Sequence, residues 1–376
     1  MKTKKTNLKN YDQLKLFLLV VLGVVLLWNI FTITNLNSKV DEKMGTLKEA
    51  AKPAKVELFV LKDSRCSDCF DIDAVLDNIK KANIEVTEEK TIELDSDEGK
   101  ELVEKYKIEK LPTVIINGET EKVSITGMET NQDALVFTSL NPPYVDSEGN
   151  VIGKVSVTYL VEPSCDDCGE PAQLVTQFKG AGVFVFKEKY INSNTEYGAA
   201  LIEKYNIDKL PTIIFSEDIG VYKIITENWA ALGTVESDGM FITRTAQAVG
   251  IPFYDLNKNK VMGLVDIKYI IDESCEDCYD VNIHKSILVD RFGIKVGEET
   301  TLDVSSEEGA SLVEMYNITA VPTVVLSEDS NAYPTLRQAW LGVGSIEEDG
   351  SFIFRSMAAM TGSVYKNLIT GEVLGK

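Results

Sequence analysis

The sequence predicts an α/β protein with three similar units in tandem after one N-terminal transmembrane helix. Three observations lead to this architecture. A Cys-x-x-Cys motif occurs three times, always between an apolar strand-like run and a helix-like segment. A Pro-Thr pair follows each motif at a nearly constant distance. An apolar run near the N-terminus is long enough to cross a bilayer.

The N-terminal segment begins with lysines and continues as an apolar run. No polar side chain interrupts residues 16–27, and the run extends to Ile33, giving about 18 residues, near the minimum that spans a bilayer. Lysines are clustered before the run and scarce just after it, which places the N-terminus in the cytoplasm and the body outside. The lysines before the run are Lys2, Lys4, Lys5, Lys9 and Lys15.

We therefore predict a basic cytoplasmic segment at residues 1–15, a transmembrane signal-anchor helix at 16–34 and a partly helical stalk at 35–54. A cleaved secretory signal is the alternative for the apolar run, although no convincing small-x-small cleavage site follows it closely. A disordered linker is the alternative for the stalk.

Charge is distributed unevenly along the chain. The 376 residues carry a formal charge of -21, and 44% are apolar, which suffices for several ordinary cores. Residues 1–54 hold nine lysines against four acidic residues, so the remainder carries about -26. A body this acidic argues against nucleic acid as a partner.

The three Cys-x-x-Cys motifs account for all six cysteines. They are Cys66-Ser67-Asp68-Cys69, Cys165-Asp166-Asp167-Cys168 and Cys275-Glu276-Asp277-Cys278. Their place between a strand and a helix predicts that the first sulfur of each motif lies at a helix N-terminus, where free N–H groups and the helix dipole favour the thiolate. Paired cysteines in even number fit an extracytoplasmic location, where disulfides persist.

The Pro-Thr pairs begin 46, 46 and 47 residues after the first cysteine of each motif and lead into apolar strands. They are Leu111-Pro112-Thr113, Leu210-Pro211-Thr212 and Val321-Pro322-Thr323. Each unit thus follows the order strand, helix, strand, helix, strand. We place the units at residues 55–153, 154–263 and 264–376, and call them repeats 1, 2 and 3.

These two motifs resemble the thioredoxin-like superfamily, in which a cis-proline at the head of a core strand faces the Cys-x-x-Cys. The layout of three units is similar to that of disulfide isomerases. The resemblance implies a thiol-disulfide oxidoreductase that acts on protein disulfides without a cofactor. It assigns nucleophilic roles to Cys66, Cys165 and Cys275, resolving roles to Cys69, Cys168 and Cys278, and substrate docking to Pro112, Pro211 and Pro322.

Two further elements recur. Repeats 2 and 3 share a tryptophan followed by an Asp-Gly hairpin signal, at Trp229 and Trp340, and packing inside the hairpin is their expected role. Near the end of each repeat, a motif with tyrosine leads to a glycine-ended apolar pair; it begins at Tyr144, Tyr254 and Tyr365. Since no such motif precedes repeat 1, we expect it to close each repeat.

The chain departs from the family pattern around the cysteines. Arg65, Ser164 and Ser274 stand where thioredoxins usually carry tryptophan, and acidic residues replace Gly-Pro between the cysteines. The upstream buried carboxylate of thioredoxins is replaced by Val60, Tyr159 and Tyr269. The single histidine, His284, is expected to be an exposed polar residue on the helix of repeat 3.

Acidic residues near the cysteines oppose thiolate formation and should stabilise the disulfides. Besides the acids between the cysteines, Asp63, Glu162 and Asp272 precede the first cysteine by three residues. Repeat 1 has one intervening acid and an adjacent arginine, so Cys66 is predicted to have the lowest thiol pKa.

Two other functions stay open at this stage. The pairs could be permanent disulfides that brace a membrane-tethered binding scaffold. Alternatively, each pair could supply two thiolates to a zinc or copper site completed by nearby acids. Neither the upstream redox partner nor the direction of electron flow can be deduced from the sequence.

Overall fold

The computed structural model describes residues 6–50, 52–360 and 362–375. Lys2, Lys4 and Lys5 of the predicted cytoplasmic segment lie outside the described residues. The chain separates into two compact units, residues 1–151 and 152–376. The first contains the N-terminal helix and repeat 1, and the second contains repeats 2 and 3.

The N-terminal helix α1 is a single element, Thr6–Ala50, of 45 residues. Its stretch Lys15–Gly45 is long and apolar enough to cross a membrane, and none of the apolar window is buried inside the protein. Signal sequences pass the same test of length and composition. The helix continues through most of the predicted stalk, so residues 35–50 are helical.

Within the residues that the structure describes, each repeat contains eight strands. In repeat 1 they are β1 (Ala54–Lys62), β2 (Ile84–Glu93), β3 (Lys110–Leu111), β4 (Thr113–Gly118), β5 (Met128–Asn131), β6 (Ala134–Phe137), β7 (Tyr144–Asp146) and β8 (Val151–Ile152). In repeat 2 they are β9 (Val155–Val161), β10 (Val185–Asn192), β11 (Lys209–Leu210), β12 (Thr212–Phe215), β13 (Gly233–Val235), β14 (Phe241–Thr243), β15 (Phe253–Asp255) and β16 (Lys260–Met262). In repeat 3 they are β17 (Leu264–Ile271), β18 (Lys295–Asp303), β19 (Ala320–Val321), β20 (Thr323–Leu326), β21 (Gly344–Ile346), β22 (Phe352–Phe354), β23 (Tyr365–Asn367) and β24 (Val373–Leu374).

Five strands of each repeat form one mixed sheet, and the order is the same three times. In repeat 1 it is β2-β1-β4-β6-β5, in repeat 2 β10-β9-β12-β14-β13, and in repeat 3 β18-β17-β20-β22-β21. The first two strands are parallel, as expected for a strand-helix-strand crossover, and the strands that follow the Pro-Thr pair are antiparallel. The prediction of a repeated α/β unit is confirmed.

Helices lie between successive strands of each repeat. They are α2 (Asp73–Lys80) and α3 (Asp97–Tyr106) in repeat 1; α4 (Ala172–Gly180), α5 (Glu196–Tyr205), α6 (Lys223–Thr226) and α7 (Ala246–Val249) in repeat 2; and α8 (Ile283–Phe292), α9 (Glu307–Met315) and α10 (Pro334–Trp340) in repeat 3. Short 3-10 helices occupy Thr120–Lys122, Glu217–Val221, Trp229–Ala231, Glu328–Ala332 and Met357–Ala359.

The remaining strands form a second, small sheet in each repeat. Its order is β3-β7-β8, β11-β15-β16 and β19-β23-β24. The last two strands are the closing motif predicted from the sequence, and we call them the closing hairpin. Its first strand pairs with the two residues just before the Pro-Thr proline of its own repeat. The motif therefore does close the repeat that precedes it.

Aromatic side chains that recur between repeats belong to the cores. Trp229 and Trp340 are 3% and 4% exposed and pack on the phenylalanines of the neighbouring hairpin strand. Tyr106 and Tyr205, at the ends of α3 and α5, are buried, with hydroxyls that contact Asn117 and Asp238. Packing is thus the role of these residues, as expected for the two tryptophans.

The second long helix of each repeat begins with the same cap. Ser96, Thr195 and Ser306 precede α3, α5 and α9, and each hydroxyl accepts a hydrogen bond from a glycine N–H three residues later. These glycines are Gly99, Gly198 and Gly309. A Cβ on any of them would lie 2.1 Å from a backbone carbonyl oxygen of the preceding strand end.

Gly198→Ala should therefore destabilise repeat 2 by ~1–3 kcal/mol, because the rigid backbone of Asn192 must move. Gly180→Ala is the matched control, since open space surrounds that glycine and alanine favours the helix by up to ~1 kcal/mol. Hydrogen exchange of peptides from repeat 2, followed across a series of urea concentrations, measures the stability of both variants. Equal stabilities for the two variants would contradict the proposed contact.

Candidate functional site

Each Cys-x-x-Cys pair is a disulfide at the end of the first strand of its repeat. The bonds join Cys66 to Cys69, Cys165 to Cys168, and Cys275 to Cys278. All six cysteines are half-buried, while the two residues between them are exposed in every repeat. The pairs are consequently partly accessible to solvent.

The cysteines do not lie at helix N-termini, and this sequence-based prediction is wrong. The helices begin only at Asp73, Ala172 and Ile283, seven or eight residues after the first cysteine. The residue after the second cysteine donates its N–H to a carbonyl outside the helix, which keeps this segment from joining the helix. The helix dipole therefore does not stabilise a thiolate here.

The structure brings the disulfides and the Pro-Thr prolines together. The peptide bonds preceding Pro112, Pro211 and Pro322 are cis. The Sγ of Cys168 lies 3.7 Å from the carbonyl oxygen of Leu210, the residue before Pro211. The Sγ of Cys278 lies 4.0 Å from the corresponding oxygen of Val321. A reduced thiol at either position could donate to that carbonyl, whereas the disulfide sulfur cannot.

In repeat 1 the disulfide packs against an apolar cluster. Cys66 and Cys69 contact a buried group that includes Leu61, Leu111 and Val145. Leu111 is the residue before Pro112, and Val145 belongs to the closing hairpin. The same three elements thus surround the disulfide as in the other repeats.

The acids that precede the pairs shape the loop. Asp63, Glu162 and Asp272 each accept a hydrogen bond from the backbone N–H two residues later, at 3.0, 3.1 and 2.9 Å. Their backbone carbonyls accept the N–H of the first cysteine. These residues therefore fold the turn that carries the disulfide, besides adding charge beside it.

Each of these carboxylates has a different partner. Arg65 donates to Asp63, and this hydrogen bond lowers the pKa of Asp63 against the effect of burial. Burial opposes ionisation of Asp272, but hydrogen bonds from Lys366 at 2.6 Å and from Ser274 outweigh it and lower the pKa. Glu162 accepts from the hydroxyls of Ser164 and Ser193, and its pKa is lowered although burial opposes this.

The closing hairpin contacts the disulfide loop in all three repeats. Phe70, Gly169 and Tyr279, which directly follow the second cysteine, donate their N–H groups at 2.8, 2.7 and 2.9 Å to the carbonyl of the residue just before each closing hairpin. The accepting carbonyls belong to Pro143, Pro252 and Val364. This contact aligns Tyr144 with Phe253 and Tyr365, so the motif in repeat 2 is shifted by one residue from the sequence alignment.

The tyrosines that replace the upstream carboxylate carry their own acid. Tyr159 is buried, and its hydroxyl donates to Glu188 at 2.6 Å; Tyr269 donates likewise to Glu299 at 2.9 Å. Burial, reinforced by the neighbouring carboxylate, raises the pKa of both tyrosines. These hydroxyls remain protonated at neutral pH, so they cannot take the place of an ionised proton acceptor.

His284 is buried, so its expected exposure is wrong. It is 5% exposed, and its ring packs edge-on against Phe354 at 4.6 Å between ring centroids. Its counterparts nine residues after the first cysteine are apolar, Val75 and Leu174. The helix presents this face to the core, and burial lowers the pKa of His284 to about 4.

A hydrogen-bonded chain links His284 to the cis-proline of repeat 3. The hydroxyl of Tyr279 lies 2.7 Å from the carbonyl oxygen of Pro322 and 2.9 Å from Nε2 of His284. A carbonyl only accepts, so Tyr279 donates to Pro322 and the Nε2–H of neutral His284 donates to Tyr279. This arrangement is specific to repeat 3, because Phe70 and Gly169 occupy the position of Tyr279.

Sequence reasoning missed the closing hairpin, Lys366 and Tyr279 as parts of the site. Recurrence of the closing motif was visible, but its pairing partner depends on long-range register. Tyr279 could have been noticed as the one hydroxyl directly after a second cysteine. Among the residues that the structure describes, no group of three or more His, Cys, Asp or Glu is arranged to hold a metal.

Comparisons with known proteins give no family assignment. No protein-family model matches the chain, and no curated protein matches it. Solved structures with partial similarity include a domain of the alkylhydroperoxide reductase AhpF of Enterococcus faecalis, 16% identical over 44% of this chain and 84% of that chain, with a TM-score of 0.15. ERdj5 is 12% identical over 75% and 39%, with a TM-score of 0.15, and human ERp44 is 11% identical over 75% and 81%, with a TM-score of 0.13. Scores this low do not establish a common fold or activity.

Burial of neutral His284 predicts a specific loss of stability in mild acid. Between pH 6.5 and about 4 the unfolded chain binds a proton at this residue that the folded chain excludes, so stability rises with pH in this window. The effect amounts to about 3 kcal/mol at most. Urea unfolding of repeat 3 at several pH values measures it.

The control variant is His284→Leu, which copies the residue of repeat 2 at this position. It should abolish the pH dependence between pH 4 and 6.5 in repeat 3 and leave repeats 1 and 2 unchanged. An identical slope in the variant would show that other groups cause it.

The three pairs should also differ in thiol pKa once reduced. The positive charges of Arg65 and Lys366 offset the acids of repeats 1 and 3, whereas Glu162 of repeat 2 has hydroxyl partners. We expect Cys66 to have the lowest pKa and Cys165 the highest, separated by ~0.5 pKa unit or more. Alkylation rates of each peptide as a function of pH give the order.

Arg65→Gln should raise the pKa of Cys66 without affecting Cys165 or Cys275. A wild-type pKa of Cys165 or Cys275 below that of Cys66 would contradict the electrostatic explanation.

Proposed function

We propose that the chain is a membrane-anchored thiol-disulfide oxidoreductase with three thioredoxin-like domains, at residues 55–153, 154–263 and 264–376. The observation that carries the proposal is the position of each disulfide. A half-buried pair at the end of the first strand lies beside the carbonyl that precedes a cis-proline, as measured in repeats 2 and 3. The repeated sheet order, with one parallel crossover followed by antiparallel strands, supports a thioredoxin-like domain.

In the proposed reaction, a substrate thiolate attacks the first cysteine of a pair, at Cys66, Cys165 or Cys275. The disulfide breaks, and Cys69, Cys168 or Cys278 leaves as a thiolate that takes up a proton. A second substrate thiolate then attacks the substrate sulfur of the mixed disulfide and releases the first cysteine, so that the substrate dithiol is oxidised and the pair is reduced. The reverse sequence reduces a substrate disulfide or rearranges it. Pro112, Pro211 and Pro322 would border the bound substrate. The reaction needs no cofactor besides the cysteines.

The proposed location is a membrane with the N-terminus in the cytoplasm and the three domains on the other side. The apolar window within Lys15–Gly45 of α1 supports the anchor, and the lysines at the start of the chain support the orientation. Residues 1–15, 16–34 and 35–54 would be the cytoplasmic segment, the span and the stalk. The proposed partners are proteins with thiols or disulfides, together with an upstream redox partner of unknown identity, and nucleic acid is not among them.

A binding scaffold braced by permanent disulfides is the second candidate. Two observations favour it: the helix N-terminus that would activate the first cysteine begins seven or eight residues away, and carboxylates lie beside each pair. Both features stabilise the disulfide relative to the thiolate. The metal-binding hypothesis has no comparable observation in its favour.

Redox titration separates the two candidates. The full-length protein in detergent is equilibrated against graded thiol-disulfide buffers, alkylated and digested, so that each pair is measured separately. We expect potentials towards the reducing end of the range from about -270 to -120 mV that catalytic dithiols span, because neither dipole nor net positive charge stabilises the thiolates.

Pairs that stay oxidised below roughly -300 mV would be structural disulfides, and the scaffold function would then replace the oxidoreductase. Exchange with a thiol-bearing protein at a measurable rate, in the same series, would exclude the scaffold.

A further inference from the structure

We propose that the closing hairpin of each repeat competes with polypeptide substrates for the backbone edge beside the disulfide. Small thiols reach the pair with the hairpin in place, whereas an extended polypeptide must first displace it. This inference rests on the proposed oxidoreductase function and specifies the access that each class of substrate has.

A polypeptide bound at the disulfide must pass close to the short strand before the cis-proline. A disulfide between substrate and protein holds the two Cα atoms about 4.4–6.8 Å apart, close to the spacing of neighbouring strands. In repeat 3 the substrate would be joined to Cys275, whose disulfide partner Cys278 has its Sγ 4.0 Å from the carbonyl oxygen of Val321. A substrate backbone joined to this pair therefore runs beside Ala320 and Val321, which form the short strand β19.

The closing hairpin already pairs with the edge of this short strand. Ala320 pairs with Asn367 and Val321 with Lys366 of the closing hairpin. Lys110 and Leu111 pair in the same way with β7, and Lys209 and Leu210 pair with β15. An exposed strand edge is the usual site at which a peptide adds to a sheet. Here the backbone groups that such a peptide would use are already paired.

The hairpin also contacts the other side of the site. The N–H of Tyr279, next to Cys278, donates to Val364 at 2.9 Å, and Phe70 and Gly169 make the equivalent bonds. The segment leading into the hairpin and its first strand thus connect the disulfide loop to the strand before the cis-proline. Displacing this element opens both at once.

Each repeat fastens its hairpin by different means. In repeat 1, Val145 is buried in the cluster that contacts the disulfide. In repeat 2, the disulfide loop packs on the segment that leads into the hairpin, where a Cβ on Gly169 would lie 2.4 Å from the Cα of Gly250. In repeat 3, Lys366 Nζ contacts Asp272 Oδ2 at 2.6 Å and Ser274 Oγ at 2.8 Å. In repeat 3 the side chain of Lys366 alone makes these two contacts, so one substitution removes both.

The chemistry is the same for both classes of thiol. A thiolate attacks Cys275, the bond to Cys278 breaks, and Cys278 leaves with the electron pair and is protonated. A second thiolate then attacks the external sulfur of the mixed disulfide and releases Cys275. Two external thiols are oxidised to one disulfide while the pair is reduced to two thiols. Small thiols and polypeptide thiols differ only in the space that they need beside the disulfide.

The test compares wild type with Lys366→Met in the full-length protein. One probe is dithiothreitol, and the other is a peptide of about ten residues with a single central cysteine, long enough to form a strand. Reduction of each pair is followed by quenching, alkylation and peptide mass analysis, at equal thiolate concentrations. Lys268→Met is the control, because it removes a lysine of the same repeat that forms an ion pair with Glu308, outside the hairpin.

We expect Lys366→Met to raise the peptide rate at Cys275–Cys278 roughly fivefold relative to the dithiothreitol rate, as the loss of one partly buried ion pair allows. Repeats 1 and 2 of the same molecule, and the Lys268→Met variant, should keep the wild-type ratio. Faster hydrogen exchange at Tyr279 would show directly that the hairpin is loosened.

A chain shortened to end at Gly362 provides the second variant, because it removes the hairpin altogether. An unchanged ratio of peptide to dithiothreitol rates in this folded variant would overturn the inference, as would an unchanged ratio in a Lys366→Met protein with faster Tyr279 exchange. Failure of both thiols to reduce any pair would instead reject the proposed oxidoreductase function. The two results are therefore distinguishable.

Discussion

The short strand before each cis-proline is the element on which the rest of the site depends. One edge of this strand pairs with the closing hairpin. In repeats 2 and 3 the carbonyl oxygen of its last residue lies 3.7 and 4.0 Å from the Sγ of the second cysteine. The residue just before the hairpin in turn accepts a hydrogen bond from the residue after that cysteine. Backbone groups in such a position must be paired, so disulfide, proline segment and hairpin form one hydrogen-bonded unit.

This unit explains why local sequence signals at the cysteines were misleading. A Cys-x-x-Cys after a strand suggested a helix that starts at the first cysteine, but the N–H groups of Phe70, Gly169 and Tyr279 are used by the hairpin instead. The acids nearby were interpreted only as charges. They also accept backbone hydrogen bonds that fold the turn, and this role depends on a conformation that spacing alone does not reveal.

The repeated architecture was predictable because it rests on short-range patterns. Apolar runs gave the first strands of each repeat, and the constant distance to the Pro-Thr pair gave the strand next to them in the sheet. Pairing of β3, β11 and β19 with the hairpins joins residues more than 30 positions apart, and two-residue strands carry no periodic signal. Burial of His284 was missed for a related reason, since one polar residue on an apolar helix face is ambiguous until the opposing Phe354 is known.

The position directly after the second cysteine holds phenylalanine, glycine and tyrosine in the three repeats, and the carboxylate before the first cysteine has an arginine, a serine pair and a lysine as its partners. The three disulfides thus lie in similar backbone surroundings, but the charges and hydrogen-bonding groups near them differ. Under the proposed function, such pairs would open one after another as the surroundings become more reducing. One chain would then report the redox poise of its compartment in steps, with each repeat sensitive to a different part of the range.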